Sequence, residues 1–354
     1  MMKGKSVLYI TNIQVPYRVK FFNELAKYCD LTVLYERSKS GNRDSKWTSS
    51  VECNYQQFFL DGFKIGNESS FSLKILKYIC DKKYDMIIVG CYSTPVQIFA
   101  NMVMGIMGRK FVMNFDGEVF ANDNSLKTKI KKIVIKGAHS YLIAGEMAAK
   151  NLQKIVKDKE VVPYYFSSLA QKDLEENNRP IEKREDYILV VGQYFDYKGL
   201  DVAVELAKKM PQEKIVFVGM GNRTDLFKSE CQTDKLPNVE VYPFLQKEEL
   251  FKTYRECKCL LLPTRQECWG LVINEAASLG TPIVSTYGSG AAVEFLSERY
   301  PQLLAKPGDA ESLIASVIQL EEVDKDEFSN YLKEKSKKYS IEEGVKRHLT
   351  LMEG

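Results

Sequence analysis

Histidine is nearly absent: the 354 residues contain two, His139 and His348. A zinc site built on several imidazoles is therefore excluded, and a Ser–His nucleophile has very few places to form. Cysteine occurs eight times but never as C-x-x-C. In a chain of this length that pattern speaks for reduced thiols rather than a disulfide framework. Cys257 and Cys259 alternate along an apolar stretch, where core packing is the expected role. No apolar run approaches the ~20 residues that cross a bilayer, and Val7–Ile10 is too short for a signal peptide. What remains is the expectation of a cytoplasmic chain, 45% apolar and 27% charged, long enough for two domains that each bury a core.

Negative charge is scarce in the first half. Residues 1–170 hold 25 Lys+Arg against 15 Asp+Glu, whereas residues 171–354 hold 25 against 32, so a net of +10 and a net of −7 lie behind the overall +3. A basic first half fits a domain that faces something anionic. Nucleic acid is not among the expected partners.

The most informative stretch is Leu260–Ser285, LLLPTRQECWGLVINEAASLGTPIVS. An apolar run breaks at Pro263, a polar loop carries Glu267, Trp269 and Gly270, a helical pattern runs through Leu271–Leu279, and Gly280-Thr281-Pro282 ends it before a second β-branched run. This is the strand–loop–helix–strand unit of a parallel α/β sheet. The helix begins at Gly270–Leu271, so free amides and the positive end of its dipole point into the loop, where a phosphate can sit. Glu267 precedes that helix and Glu275 lies a turn inside it. Carboxylates there can accept paired hydrogen bonds from sugar diols; they can equally be an acidic first turn that offsets the dipole.

With seven residues between its two glutamates, P-T-R-Q-E-C-W-G-L-V-I-N-E-A-A-S-L-G-T-P-I-V resembles the E-x7-E signature of the group 1 glycosyltransferases. These are retaining, nucleotide-sugar-dependent enzymes of the GT-B fold, an α/β architecture of two Rossmann-like, doubly wound parallel-sheet domains facing across a cleft. The resemblance covers 186–320 and the first domain in outline. It implies an acceptor-side domain at 1–170, a nucleotide-sugar domain at 171–337, and a last helix over about 338–354 that packs back on the first. V-G-Q-Y-F-D-Y-K-G-L-D-V resembles the family's phosphate loop and implies that Gly192, Gln193 and Lys198 meet the diphosphate. Gln193 stands where many members have arginine. Phe244 and Leu245 match a loop that meets the nucleobase through its backbone, and the amides of Trp269, Gly270 and Leu271 match the leaving diphosphate. Glu267 is implied to hold sugar hydroxyls and Glu275 the ribose. The loop after the strand Phe111–Asn114 offers Asp116 or Glu118 as the acceptor's base, although Asp-Gly is also an ordinary turn. The implied reaction moves a sugar to a glycan or lipid-linked acceptor in polysaccharide assembly, with no metal and no cofactor besides the donor itself.

Other features are open. The loop after the first strand, Asn12–Arg18, lacks the glycines many relatives carry; Arg18 can meet an anionic acceptor or cap the following helix and face solvent. Leu126–Lys136 interleaves lysines with Leu126, Ile130, Ile133 and Val134. Such a helix can lie on the inner face of an anionic membrane, or bury its apolar side in the core with its lysines in water. Gly219-Met220-Gly221 with Glu240 imitates a dinucleotide fingerprint but has no third glycine. Asp324-Lys325-Asp326 imitates a metal-binding D-x-D, in a segment where helix capping is expected. Glu175–Pro180 reads as the interdomain linker. A nucleotide-sugar epimerase and a catalytically dead glycan-binding protein are the alternative functions.

Overall fold

Val7–Ile10 is buried on both faces, as a strand covered by helices on each side must be. It belongs to β1 (Ser6–Ile13), the first of β2 (Asp30–Arg37), β3 (Gln56–Phe59), β4 (Phe63–Ile65), β5 (Ser69–Phe71), β6 (Met86–Val89), β7 (Val112–Phe115), β8 (Ser140–Ala144) and β9 (Val161–Tyr164). Seven of these form a parallel sheet in the order β3-β2-β1-β6-β7-β8-β9; β4 and β5 make a separate antiparallel hairpin. The computed structural model describes residues 4–38, 52–65, 69–90, 93–117, 133–177 and 184–353. The chain divides into one unit of residues 1–166 with 341–354 and a second of 167–340.

In the first unit the helices Pro16–Leu25 and Pro95–Ile106 both begin on proline, which lacks the N–H a first helical position leaves unbonded. For that reason the first helix starts at Pro16 rather than at Val19. Val96, Ala100 and Met104 of the second pack with Leu8, Ile10, Val89 and Met113 in the core. The β4–β5 hairpin leaves no pattern in the sequence, because its strands are three residues each, β4 exposed throughout and β5 with only Ser70 buried. The terminal helix, Ile341–Glu353, lies close to the chain leaving β9: a Cβ on Gly344 would sit 2.8 Å from the Tyr165 carbonyl oxygen. From this helix His348 is fully buried among Tyr9, Phe21 and Tyr164.

The second unit strings together β10 (Tyr187–Val191), β11 (Lys214–Val218), β12 (Val239–Tyr242), β13 (Cys259–Leu262), β14 (Ile283–Thr286) and β15 (Leu304–Ala305). Their order is β12-β11-β10-β13-β14-β15, and every pairing is parallel. Chain order reverses between β10 and β13, the point at which an open α/β sheet leaves a crevice beyond its strand ends. One expectation changes here and another holds, the linker at Glu175–Pro180 and the cap at Asp324. Part of the presumed linker is the helix Gln171–Asn177, whose Leu174 and Asn177 are buried and whose start is capped by Asp173 accepting from the Ala170 amide at 2.8 Å. Asp324 caps the helix Lys325–Ser336, accepting from the amides of Asp326 and Glu327. Among the described residues no group of three His, Cys, Asp or Glu side chains is placed to hold a metal, and no helix is long and apolar enough to cross a membrane. Of Leu126–Lys136, residues 126–132 lie outside the described residues, as does Glu118; Ile133 is exposed, and Val134 and Ile135 are buried.

Candidate functional site

The loops that follow β10 and β13 are locked together backbone to backbone. Gly199 has φ +65°, and a Cβ there would lie 2.2 Å from the Pro263 carbonyl oxygen, so both conformation and space demand glycine. The Tyr197 carbonyl accepts from the Arg265 amide and the Thr264 hydroxyl, each at 2.8 Å. Arg265 then reaches back with a bidentate pair to Asp201 at 2.7 and 2.6 Å, and donates to the Asp196 carbonyl. That guanidinium holds the Asp201 carboxyl below its ordinary range.

This joint places Lys198 against Glu267. The ammonium donates to Glu267 Oε1 at 2.5 Å, with both side chains mostly buried. Glu267 Oε2 is buried without a hydrogen-bond partner. Its backbone is fixed separately, in a parallel bridge to Ser289 with its amide donating to the Gly288 carbonyl at 2.8 Å. Gly270, at φ +107°, turns the chain into the helix Leu271–Ser278. A side chain on Gly270 would press on Ser289 Oγ at 2.9 Å and approach Glu267 Oε2 at 3.7 Å. The helix start and the orphan carboxylate oxygen are therefore neighbours. A partly buried ion pair, an acceptor with no donor and a helix tip together can take a ligand that is anionic at one end and hydroxylated at the other.

The remaining predicted residues are distributed as follows. Glu275 accepts from Ser168 Oγ at 2.9 Å and from the Tyr254 hydroxyl at 3.2 Å. Burial pushes its carboxyl up, and those two hydrogen bonds draw it part of the way back. Gly192 directly follows β10, and Lys198 Cδ would lie 3.9 Å from a Cβ placed on it. Gln193 follows, half-buried. Trp269 turns its indole inward: it is 3% exposed, donates to Asn274 Oδ1 at 2.8 Å and stacks on Tyr339, so only its backbone faces the loop. Leu271 opens the helix. Phe244 and Leu245 follow β12, the sheet's edge strand, with the Phe244 ring 39% exposed.

Asp116 belongs to the first unit, directly after β7. It pairs with Arg18 and accepts from the Tyr164 hydroxyl at 2.7 Å. Arg18 is 4% exposed and stacks over Phe166 at 5.0 Å, which excludes the solvent-facing alternative. Nothing in the sequence signalled Arg265 with Asp201, or Ser168 and Tyr254, because each partner is remote in the chain and carries no motif.

Residues 171–339 match the family model described as glycosyl transferases group 1. An uncharacterized glycosyltransferase of Methanocaldococcus jannaschii is 28% identical over 160 residues, 44% of this chain and 45% of the relative; the chain thus spans less than half the length of that curated relative. Among solved structures, sucrose-phosphate synthase from Thermosynechococcus elongatus superposes with a TM-score of 0.67 at 15% identity, over 99% of this chain and 98% of the other. An Anabaena protein solved with UDP-glucose gives 0.67 at 14%, over 99% and 100%. At such identities the likeness shows the fold, two parallel-sheet α/β domains of the GT-B kind.

Proposed function

We propose that this chain, whose residues 171–339 match the model of the group 1 glycosyl transferases, moves a sugar from a nucleoside diphosphate sugar to an acceptor hydroxyl with retention at the anomeric carbon. The observation that carries this reading is the Lys198–Glu267 pair beside the tip of the helix Leu271–Ser278, at the reversal point of the sheet. As the bond to the diphosphate loosens, negative charge grows on the leaving oxygen, and Lys198 with the amides of Gly270 and Leu271 meets it without a metal. Lys198 leaves Glu267 to do so, which frees both carboxylate oxygens for hydroxyls of a sugar that passes through an oxocarbenium-like state. Glu275, oriented by Ser168 and Tyr254, holds the ribose, and Phe244 and Leu245 border the base. The Anabaena neighbour solved with UDP-glucose favours a uridine donor. In the first unit, Asp116 takes the acceptor's proton or orients its hydroxyl.

A lipid-linked glycan is the acceptor class that the first unit's surface supports. Phe63, Met102, Ile106 and Met107 are exposed. They connect through Phe71, which is paired with Phe63 and rests on the Phe99 ring at 5.3 Å, and through Cys80, whose sulfur is 3.8 Å from that of Met107. Lys74 precedes and Lys77 lies on the short helix that Cys80 closes, Lys110 follows Met107 by three residues, and all three are exposed. Exposed apolar side chains together with lysines suit the surface of an anionic leaflet. The test is nucleotide release from UDP- and GDP-sugars with and without a lipid-linked acceptor. Acceptor-dependent release supports transfer, and conversion of the donor with no acceptor present contradicts it.

A further inference from the structure

Most cations around the joined loops are already neutralised, Lys198 by Glu267 and Arg265 by Asp201. Arg223 is different. It ends the turn Gly221–Arg223 after β11, and among the described residues no carboxylate pairs with it. Its Nη1 donates to the carbonyl of Tyr194, the residue after Gln193, at 3.0 Å. Its Cζ stands 4.1 Å from the centre of the Phe195 ring. Phe195 stacks on Tyr197 with centroids 5.6 Å apart and planes 13° from parallel, and Lys198 Nζ lies 5.6 Å from the Tyr197 centroid. The loop is thus a column of cation, ring, ring, cation, with Arg223 at one end and Lys198 at the other. Using one of five N–H donors on Tyr194 leaves the guanidinium able to bind an anion.

We propose that Arg223 is a diphosphate ligand of this site, supplying next to Gln193 the positive charge that Gln193 does not carry. The proposal rests on the nucleotide-sugar reading above and extends it to a residue outside the loop–helix motif. A diphosphate that reaches Lys198 must first displace Glu267, whereas Arg223 offers it a charge with no carboxylate to displace. Arg223 therefore takes part in capture, and the ring column carries its position to the loop that holds Lys198.

The test is calorimetric titration of the full-length protein with UDP, GDP and the corresponding nucleosides, for wild type, Arg223→Gln, Arg223→Lys and the double variant Arg223→Gln/Gln193→Arg. The expected result is a loss of roughly tenfold to hundredfold in diphosphate affinity for Arg223→Gln, with nucleoside affinity unchanged. A smaller loss is expected for Arg223→Lys and recovery for the double variant. Unchanged diphosphate affinity in Arg223→Gln overturns the proposal, and so does an equal loss for nucleosides, the mark of a residue that only props the loop. If Arg223→Gln does not fold, the lysine variant decides by the same comparison. Wild type that binds neither diphosphate overturns the parent reading, and this one with it, so the two failures are told apart.

Discussion

Lys198, paired with Glu267, and Glu275 are proposed to act at different stages, so their removal should have different effects. Lys198→Ala takes away charge that matters most as the diphosphate leaves, and kcat should fall by about a hundredfold with a smaller change in donor KM. Glu275→Ala should do the reverse, raising donor KM about tenfold while kcat holds, because a ribose contact is made equally before and during the reaction. Steady-state kinetics on both variants checks the pair of assignments, and equal effects on kcat would contradict them. At this scale the chain was legible where chemistry is local. Lys198 and Glu267 stand on loops, and Glu275 on the helix Leu271–Ser278, in stretches whose borders are marked by glycine and proline. Trp269 was legible as a position but not as a side chain: that its indole joins Asn274 and Tyr339 in the core depends on partners no nearby residue announces.

Between elements, the decisive contact is the seam of the loops after β10 and β13. Gly199→Ala should lower stability by more than about 2 kcal/mol, since it strains a left-handed turn and drives a methyl into the Pro263 carbonyl. Arg265→Ala loses a partly exposed bidentate pair and should cost only about 1 kcal/mol, yet lower kcat by loosening the loop that aims Lys198. Thermal denaturation alongside kinetics separates the two, and a large stability loss in Arg265→Ala would place its role in the fold instead. Strands and most helices could be read from apolar runs and caps, as at β1, β10 and β13. The helix Gln171–Asn177 could not: its polar sequence earns its helical state from capping by Asp173 and from burial of Leu174 and Asn177. The β4–β5 hairpin escaped for a similar reason, being too short to show an alternating pattern.

For the molecule as a whole, two buried titratable groups in the first unit act on stability in opposite directions. Burial pushes Glu36 up to about 7, although Thr94 and Gln97 donate to its Oε1 at 2.6 and 2.5 Å. The folded state therefore holds a proton the unfolded chain releases, and stability falls as pH rises from about 4.5 to about 7. Burial lowers His348 to about 4, so the unfolded chain binds a proton the folded state refuses, and stability rises between about pH 4 and 6.5. The two slopes oppose each other over most of that window. In Glu36→Gln, which keeps an acceptor for Thr94 and Gln97, only the His348 slope remains of the two. Its melting temperature should climb from pH 4.5 to 6.5 more steeply than that of wild type; parallel curves would contradict the assignment.

The claim on which the rest depends is that Lys198 exchanges Glu267 for a diphosphate. The most direct measurement is a crystal structure of the protein with UDP and, separately, GDP. Phosphate oxygens are expected on Lys198 Nζ and at the amides of Gly270 and Leu271, with Glu275 on the ribose and the Lys198–Glu267 contact broken. A bound nucleotide elsewhere, with that ion pair intact, would contradict it.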